Sequence, residues 1–173
     1  MKNLPNILTL GRIFIIPLVV VALLGGFNHI ALVLFIIAGI TDFFDGYFAR
    51  KLKVESKFGA MLDPIADKLL VTAVLIFLAK QLSGLDTIAV VIILLREVLV
   101  SGLREFLGQQ KIAMPVTKLA KWKTTLQFVA IIALLYNPIS IFSSLLLWVA
   151  AILTAITGWQ YTTYAIRKIN EGK

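Results

Sequence analysis

Four aspartates stand inside otherwise apolar stretches of this sequence, and their type and spacing point to metal-dependent chemistry. They form two pairs, Asp42 with Asp45 and Asp63 with Asp67. Ionised carboxylates near hydrocarbon are costly, and carboxylates that share a site repel one another unless a cation lies between them. A ligand set made of oxygen alone suits a hard divalent cation. The pattern therefore predicts a site for Mg²⁺ or Mn²⁺, with enough carboxylates for two ions.

Residues with small side chains accompany the aspartates at helical spacing. At 100° per residue, one helical face would carry Asp42, Asp45, Gly46 and Ala49. A stripe with a four-residue repeat would carry Gly59, Asp63 and Asp67. A bulky ligand can approach the backbone where side chains are small or missing. The guanidinium of Arg50, next in the sequence, is a bidentate donor for phosphate. A phosphate-bearing ligand beside the metal ions is the resulting hypothesis.

A structural interpretation of the aspartates competes with this one. Each aspartate alone is explained as well by an ion pair with a lysine or arginine near a membrane interface. The complete set is not, because four carboxylates on two neighbouring helix ends would repel one another without a cation.

The composition indicates an integral membrane protein built of helices. Apolar residues make up 60% of the 173, against roughly 45–50% in soluble domains. The apolar runs are too long and continuous for the strands of a membrane barrel. The absence of cysteine excludes disulfides, thiol nucleophiles and thiolate-bound zinc. The net charge of +8 comes without a basic tail, so nucleic acid is not an expected partner.

A membrane-spanning helix needs about 20 apolar residues, and the sequence divides into six segments of that kind. They run over 7–26, 30–48, 62–82, 86–107, 120–137 and 139–164. Glycine-, serine- and proline-containing turns separate several of them. We expect one all-α membrane domain over residues 1–173. The stretch Lys2–Asn6 is expected to lie along the interface before the first helix.

The positions of lysine and arginine predict the orientation. Basic residues gather at the N-terminus, in the connections after segments two and four, and at the C-terminus, whereas the opposite three turns hold only Lys80. Positive residues favour the cytoplasmic side, so both termini are expected there. Arg12 interrupts the first apolar run, which favours a retained helix over a cleaved signal peptide. The absence of a transit peptide favours the bacterial inner (cytoplasmic) membrane.

The aspartate motif resembles that of a known family. The stretch Asp42-Phe-Phe-Asp45-Gly46-Tyr-Phe-Ala49-Arg50, followed by Gly59-Ala-Met-Leu-Asp63-Pro-Ile-Ala-Asp67, is similar to the complete motif of the CDP-alcohol phosphatidyltransferases. The resemblance implies transfer of a phosphatidyl group from CDP-diacylglycerol to an alcohol, with release of CMP. It implies a homodimer among membrane lipids.

The resemblance also implies roles for the individual residues of the motif. The implied metal ligands are Asp42, Asp45, Asp63 and Asp67. Asp67 would in addition be the general base that activates the alcohol. The residues that would line the nucleotide site are Gly46, Ala49, Arg50 and Gly59.

A second group of cations bears on which alcohol is the acceptor. The candidate acceptor-binding residues are Arg96, Arg104, Lys121 and Lys123. An arginine within an apolar segment is a functional candidate. A buried ion pair with Glu97 would also explain Arg96. Each lysine taken singly is also explained by membrane topology, since positive residues favour the cytoplasmic side. Together the cations suggest a pocket for an acceptor that bears a phosphate. Their surroundings are similar to the branch of the family whose acceptor is sn-glycerol 3-phosphate.

Three other functions compete with this interpretation. The same chemistry with a different acceptor, inositol phosphate or serine, is the nearest. A divalent-cation transporter would also use an acidic cluster, but it predicts a central pathway open to both sides, and no broken repeat is visible. A structural membrane scaffold would have no use for four charged residues that face inward.

Overall fold

The structure is a computed structural model that describes residues 4–52 and 57–171; within them, the backbone alone is described at 4–10, 12, 42–52, 57–61, 63 and 64. The described chain is helical, without a strand. Its helices are α1 Leu4–Leu24, α2 Asn28–Leu52, α3 Lys57–Ala79, α4 Gly84–Gln109, α5 Lys118–Tyr136 and α6 Ile141–Glu171.

The predicted all-helical architecture is confirmed, and the helix ends differ from the predicted ones. Helix α1 begins at Leu4, so three of the five residues assigned to a separate N-terminal segment belong to this helix. Helix α6 continues to Glu171, seven residues beyond the predicted end. Apolar runs mark only the part of a helix that avoids water, whereas backbone hydrogen bonding continues through polar turns.

Length and apolar composition qualify two helices of the described residues to cross a membrane. These are α5 and α6, and shorter apolar stretches cover Ile13–Leu24 and Asn28–Thr41. Helix α4 is long enough, at 26 residues, but it carries charges along its length, among them Arg96 and Glu97. The composition and these helices indicate a membrane protein.

The chain forms two compact units. The first comprises Met1–Gln81 and Leu134–Asn137, and the second comprises Leu82–Ala133 and Pro138–Lys173.

In the first unit, α1 packs against both α2 and α3. A glycine turn permits the close connection between α1 and α2. Gly26 adopts φ +75°, and the N–H groups of Gly26 and Phe27 donate to the carbonyls of Leu23 and Ala22 over 3.2 and 2.8 Å. This pattern closes the end of α1 and requires a left-handed residue at Gly26. The side-chain amides of Asn28 and Gln81 then hydrogen-bond each other, which ties the start of α2 to the chain after α3.

In the second unit, α4 packs against α6. Helix α4 begins with Ser83 as its N-cap, whose hydroxyl accepts the N–H of Asp86. The Asp86 carboxylate in turn accepts hydrogen bonds from the Ser83 hydroxyl, the Ser144 hydroxyl and the Trp148 indole over 3.0, 2.5 and 3.1 Å. Ser144 and Trp148 lie on α6. The cap of one helix is thereby fixed to the side of the other.

Candidate active site

The aspartate motif occupies two helix ends that are close along the chain. Asp42 and Asp45 lie in the last three turns of α2, and Asp63 and Asp67 lie in the first three turns of α3. Four residues, 53–56, join the two helices and lie outside the described residues. Since both helices also pack on α1, the fold brings the four backbone positions to one end of the first unit.

The four aspartates lie at two distances from the helix ends that the connection joins. Asp42 and Asp67 are each ten residues from the joined helix ends, about 15 Å at the helical rise. Asp45 and Asp63 are nearer those ends, at about 10 Å. Each pair of aspartates therefore lies within one continuous helix, as the helical spacing of the motif predicted.

Side chains of the motif are described at one position. Asp67 is half-buried on α3, and it is not free, because it has a bonding or electrostatic partner. The side chains of the other predicted metal and nucleotide residues lie outside the described ones: Asp42, Asp45, Gly46, Ala49, Arg50, Gly59 and Asp63. Among the described side chains, no three acidic or histidine residues form a metal-binding group. The fit to a metal therefore rests on donor chemistry, which is carboxylate oxygen throughout and suits Mg²⁺ or Mn²⁺.

The second unit contains a buried cluster of charges that includes two of the predicted acceptor-binding residues. Arg96 on α4 and Lys123 on α5 keep only 9% and 5% of their exposure. Both contact the same oxygen, Oε1 of Glu97: Arg96 through Nη1 at 3.2 Å and Lys123 through its ammonium. Two helices thus deliver a cation each to one carboxylate. Buried charges of this kind are stable only when they are paired and hydrogen-bonded.

Helix α6 provides the surface on which Arg96 lies. The Arg96 Nη2 donates to the Thr157 hydroxyl over 3.1 Å, and that hydroxyl donates to the carbonyl of Thr154 over 3.0 Å. The guanidinium carbon lies 5.7 Å from the centre of the Tyr161 ring, within the range of a cation–π contact. The Nε–H of Arg96 is buried and has no acceptor among the described residues. One donor of the guanidinium is therefore unused by these residues.

Tyr161 also contacts the start of α5. Its hydroxyl accepts the backbone N–H of Thr117 over 3.2 Å. The Thr117 hydroxyl accepts the N–H of Ala120 over 3.2 Å, so that Thr117 caps the helix. Lys123 follows six residues after Thr117 on the same helix.

The other two predicted acceptor-binding residues are placed differently. Arg104 on α4 and Lys121 on α5 are exposed, and neither forms an ion pair within the part of the chain that the structure describes. The structure therefore brings Arg96 and Lys123 together and leaves Arg104 and Lys121 outside their cluster.

Sequence reasoning missed the contribution of α6. Thr154, Thr157, Gly158 and Tyr161 are buried and recur at helical spacing along an apolar helix. Small and hydroxyl-bearing residues at that spacing are the signal that would have indicated a polar contact surface. Glu97 was noted as a pairing partner of Arg96, but its contact with Lys123 could not be read from the sequence.

Comparison of the sequence with known proteins shows the family to which the chain belongs. The sequence pattern of the CDP-alcohol phosphatidyltransferases matches residues 2–156. The chain belongs to the CDP-alcohol phosphatidyltransferase family, which confirms the resemblance seen in the motif.

Several relatives within this family carry the name of one enzyme. A protein of Rickettsia typhi is 48% identical over 173 residues, covering 93% of this chain and 96% of its own. A protein of Cereibacter sphaeroides is 41% identical over 99% of both chains, and one of Bacillus subtilis is 40% identical over 93% of this chain and 94% of its own. Each of the three is named CDP-diacylglycerol–glycerol-3-phosphate 3-phosphatidyltransferase.

Proposed function

We propose that this chain transfers a phosphatidyl group from CDP-diacylglycerol to sn-glycerol 3-phosphate and releases CMP. The acceptor's primary hydroxyl oxygen forms the new bond to the lipid-linked phosphorus. The bond from that phosphorus to the CMP phosphate breaks, and the hydroxyl proton passes to Asp67 before it reaches solvent. The products are phosphatidylglycerophosphate and CMP. The motif offers no activated nucleophile, which favours direct attack over a covalent intermediate.

The buried cluster of Arg96, Lys123 and Glu97 supports an acceptor that bears a phosphate. A phosphate on the acceptor needs cations held in place, and buried cations on two helices supply them. Both lie in the second unit at low exposure. Neither serine nor free inositol presents a phosphate that would use this cluster. The names of the relatives support the same acceptor.

The aspartates are proposed to hold two divalent ions. Mg²⁺ or Mn²⁺, when bound, would polarise the attacked phosphorus and offset charge on the leaving phosphate. Asp42, Asp45 and Asp63 would be ligands, and Asp67 would combine metal binding with the role of base. A carboxylate is a weak base at its reference pKa of about 3.9, so the arrangement depends on neighbouring carboxylates. Gly46, Ala49, Arg50 and Gly59 would line the nucleotide site.

The setting of the reaction belongs to the same proposal. The basic connections support six spans with both termini in the cytoplasm of a bacterial inner membrane, all residues forming one domain. The family resemblance supports a homodimer. Arg104 and Lys121, being exposed, would act as outer cations that attract the acceptor rather than as buried contacts.

An acceptor panel tests the proposed function. Purified protein with CDP-diacylglycerol and Mg²⁺ is given sn-glycerol 3-phosphate, glycerol, serine, inositol or inositol phosphate, and CMP release is measured. Glycerol is the matched control because it lacks only the phosphate. We expect CMP release with sn-glycerol 3-phosphate to exceed that with glycerol at least 100-fold. Equal or faster release with another acceptor would assign a different substrate, and no release with any acceptor would contradict the enzyme class.

A further inference from the structure

Arg96 is held by a strip of α6 that lies 61 or more residues later in the sequence. The strip consists of Thr157, Gly158 and Tyr161, and all three are buried. Thr157 accepts from the guanidinium and Tyr161 lies under it. Both contacts are made by the guanidinium, so the strip determines where the charged group is placed.

At Gly158 the side chain of Arg96 lies against the backbone of α6. A Cβ built on Gly158 would lie 2.8 Å from Cγ of Arg96 and 3.8 Å from its Cβ and Nε. The clash falls at the root of the arginine side chain, so the free end cannot relieve it by small movements. Any larger residue would force Arg96 into another rotamer and away from Thr157. The absence of a side chain at Gly158 is thus a condition for the observed placement of Arg96.

Tyr161 extends the same control to the other buried cation. Its ring contacts Arg96 from α4, and its hydroxyl holds the backbone of Thr117 at the start of α5. Lys123 lies within the first two turns of α5. One side chain of α6 therefore links the helices that carry Arg96 and Lys123.

We propose that Gly158 and Tyr161 are positioning residues for acceptor binding, which act by placing Arg96 and Lys123 for the acceptor's phosphate. This inference rests on the proposed function. It assigns to α6 a role in acceptor affinity although neither residue need touch the acceptor. Loss of a positioning residue should raise the KM for the phosphate-bearing acceptor and leave the KM for CDP-diacylglycerol unchanged.

Matched pairs of variants test the proposal. Gly158→Ala is compared with Gly108→Ala, which makes the same change in α4 where a Cβ would meet nothing within 4 Å. Tyr161→Phe is compared with Tyr164→Phe, because the Tyr164 hydroxyl donates to the Ala113 carbonyl over 3.2 Å in the same α4–α5 connection. Both tyrosine variants lose one hydrogen bond to that connection. Tyr161→Phe keeps the ring beside Arg96 and removes the hydroxyl that holds Thr117, the N-cap of the helix that carries Lys123; the Tyr164 hydroxyl bonds Ala113 instead.

KM is measured for each substrate in purified full-length protein, together with the melting temperature. We expect Gly158→Ala to raise the KM for sn-glycerol 3-phosphate at least 10-fold and to leave that for CDP-diacylglycerol within 2-fold. Tyr161→Phe is expected to raise the acceptor KM about 2- to 10-fold, the range of one lost hydrogen bond. Gly108→Ala and Tyr164→Phe should leave both constants within 2-fold, although Tyr164→Phe lowers the melting temperature about as much as Tyr161→Phe.

Two results would overturn the inference. One is an equal change of both KM values in Gly158→Ala and Tyr161→Phe, and the other is a change in melting temperature alone. If Gly158→Ala does not fold, Tyr161→Phe decides by itself, since it removes one oxygen and creates no clash. A wild-type protein that releases no CMP with sn-glycerol 3-phosphate contradicts the proposed function instead, and this inference with it.

Discussion

Asp67 is the residue on which the proposed chemistry depends most closely. It stands ten residues into α3, half-buried, at the level that Asp42 occupies on α2. In the proposed reaction this carboxylate takes the acceptor's proton, which an amide could not accept. Removing a general base costs typically 10²- to 10⁴-fold in rate.

We therefore expect Asp67→Asn to lower CMP release by about 100-fold or more, while the protein is still extracted from membranes in folded form. The control is Asp86→Asn, the same exchange at a carboxylate of α4 that contacts Ser144 and Trp148. Steady-state CMP release of both variants is the measurement. Activity of Asp67→Asn within a few-fold of the wild-type value would remove Asp67 from the role of base.

The residues of the site were predictable to different degrees. The aspartate motif and Arg96 could be found because charge inside an apolar run is conspicuous in the sequence itself. Thr157, Gly158 and Tyr161 could not be assigned to Arg96, because the contact depends on how α6 packs on α4. The exposure of Arg104 and Lys121 was also out of reach, since spacing along a helix does not say which face is covered.

At the scale of elements, Asp86 joins two helices of the second unit. Its carboxylate accepts hydrogen bonds from Ser83, Ser144 and Trp148. Its backbone N–H donates to Ser83, which completes the N-cap of α4. The start of α4 is thus fixed to the side of α6, far along α4 from Arg96.

We expect Asp86→Ala to lower the free energy of unfolding by about 1–3 kcal/mol, because the partners of the carboxylate lose a charged acceptor. Both KM values should stay within 2-fold. Thr163→Ala is the control, since the exposed Thr163 hydroxyl bonds carbonyls of its own helix, and it should change stability by less than about 0.5 kcal/mol. Thermal unfolding in detergent measures both. An unchanged melting temperature in Asp86→Ala would contradict the structural role.

Helices were predictable from sequence in number and approximate place, and their ends were not. Apolar runs separated by turns such as Gly25-Gly26 identify six helices. The extension of α2 to Leu52 and of α6 to Glu171 escapes the same reasoning, because these turns are polar. Hydropathy responds to the solvent around a helix, whereas the helix itself ends where its backbone hydrogen bonds end.

For the molecule as a whole, the distribution of lysine and arginine predicts which connections face the cytoplasm. The chain has no cysteine, so a single introduced cysteine reports its own side of the membrane. Gln110→Cys lies in the basic connection after α4, and Ile139→Cys lies in the turn before α6, where the native side chain is 87% exposed.

We expect a membrane-impermeant maleimide to label Ile139→Cys in intact spheroplasts and to label Gln110→Cys only after the membrane is opened. The positive-inside rule gives this direction. In the six-span arrangement one span, α5, lies between residues 110 and 139, so the two positions face opposite sides of the membrane. Labelling of both positions from the same side would contradict this arrangement.

The direct test of the whole account is the lipid formed per CMP released. Purified protein receives CDP-diacylglycerol, labelled sn-glycerol 3-phosphate and Mg²⁺, and both products are quantified in the same sample. We expect one labelled phosphatidylglycerophosphate for each CMP, and neither product when a chelator removes the divalent ion. CMP without labelled lipid, or undiminished transfer in the presence of the chelator, would contradict it.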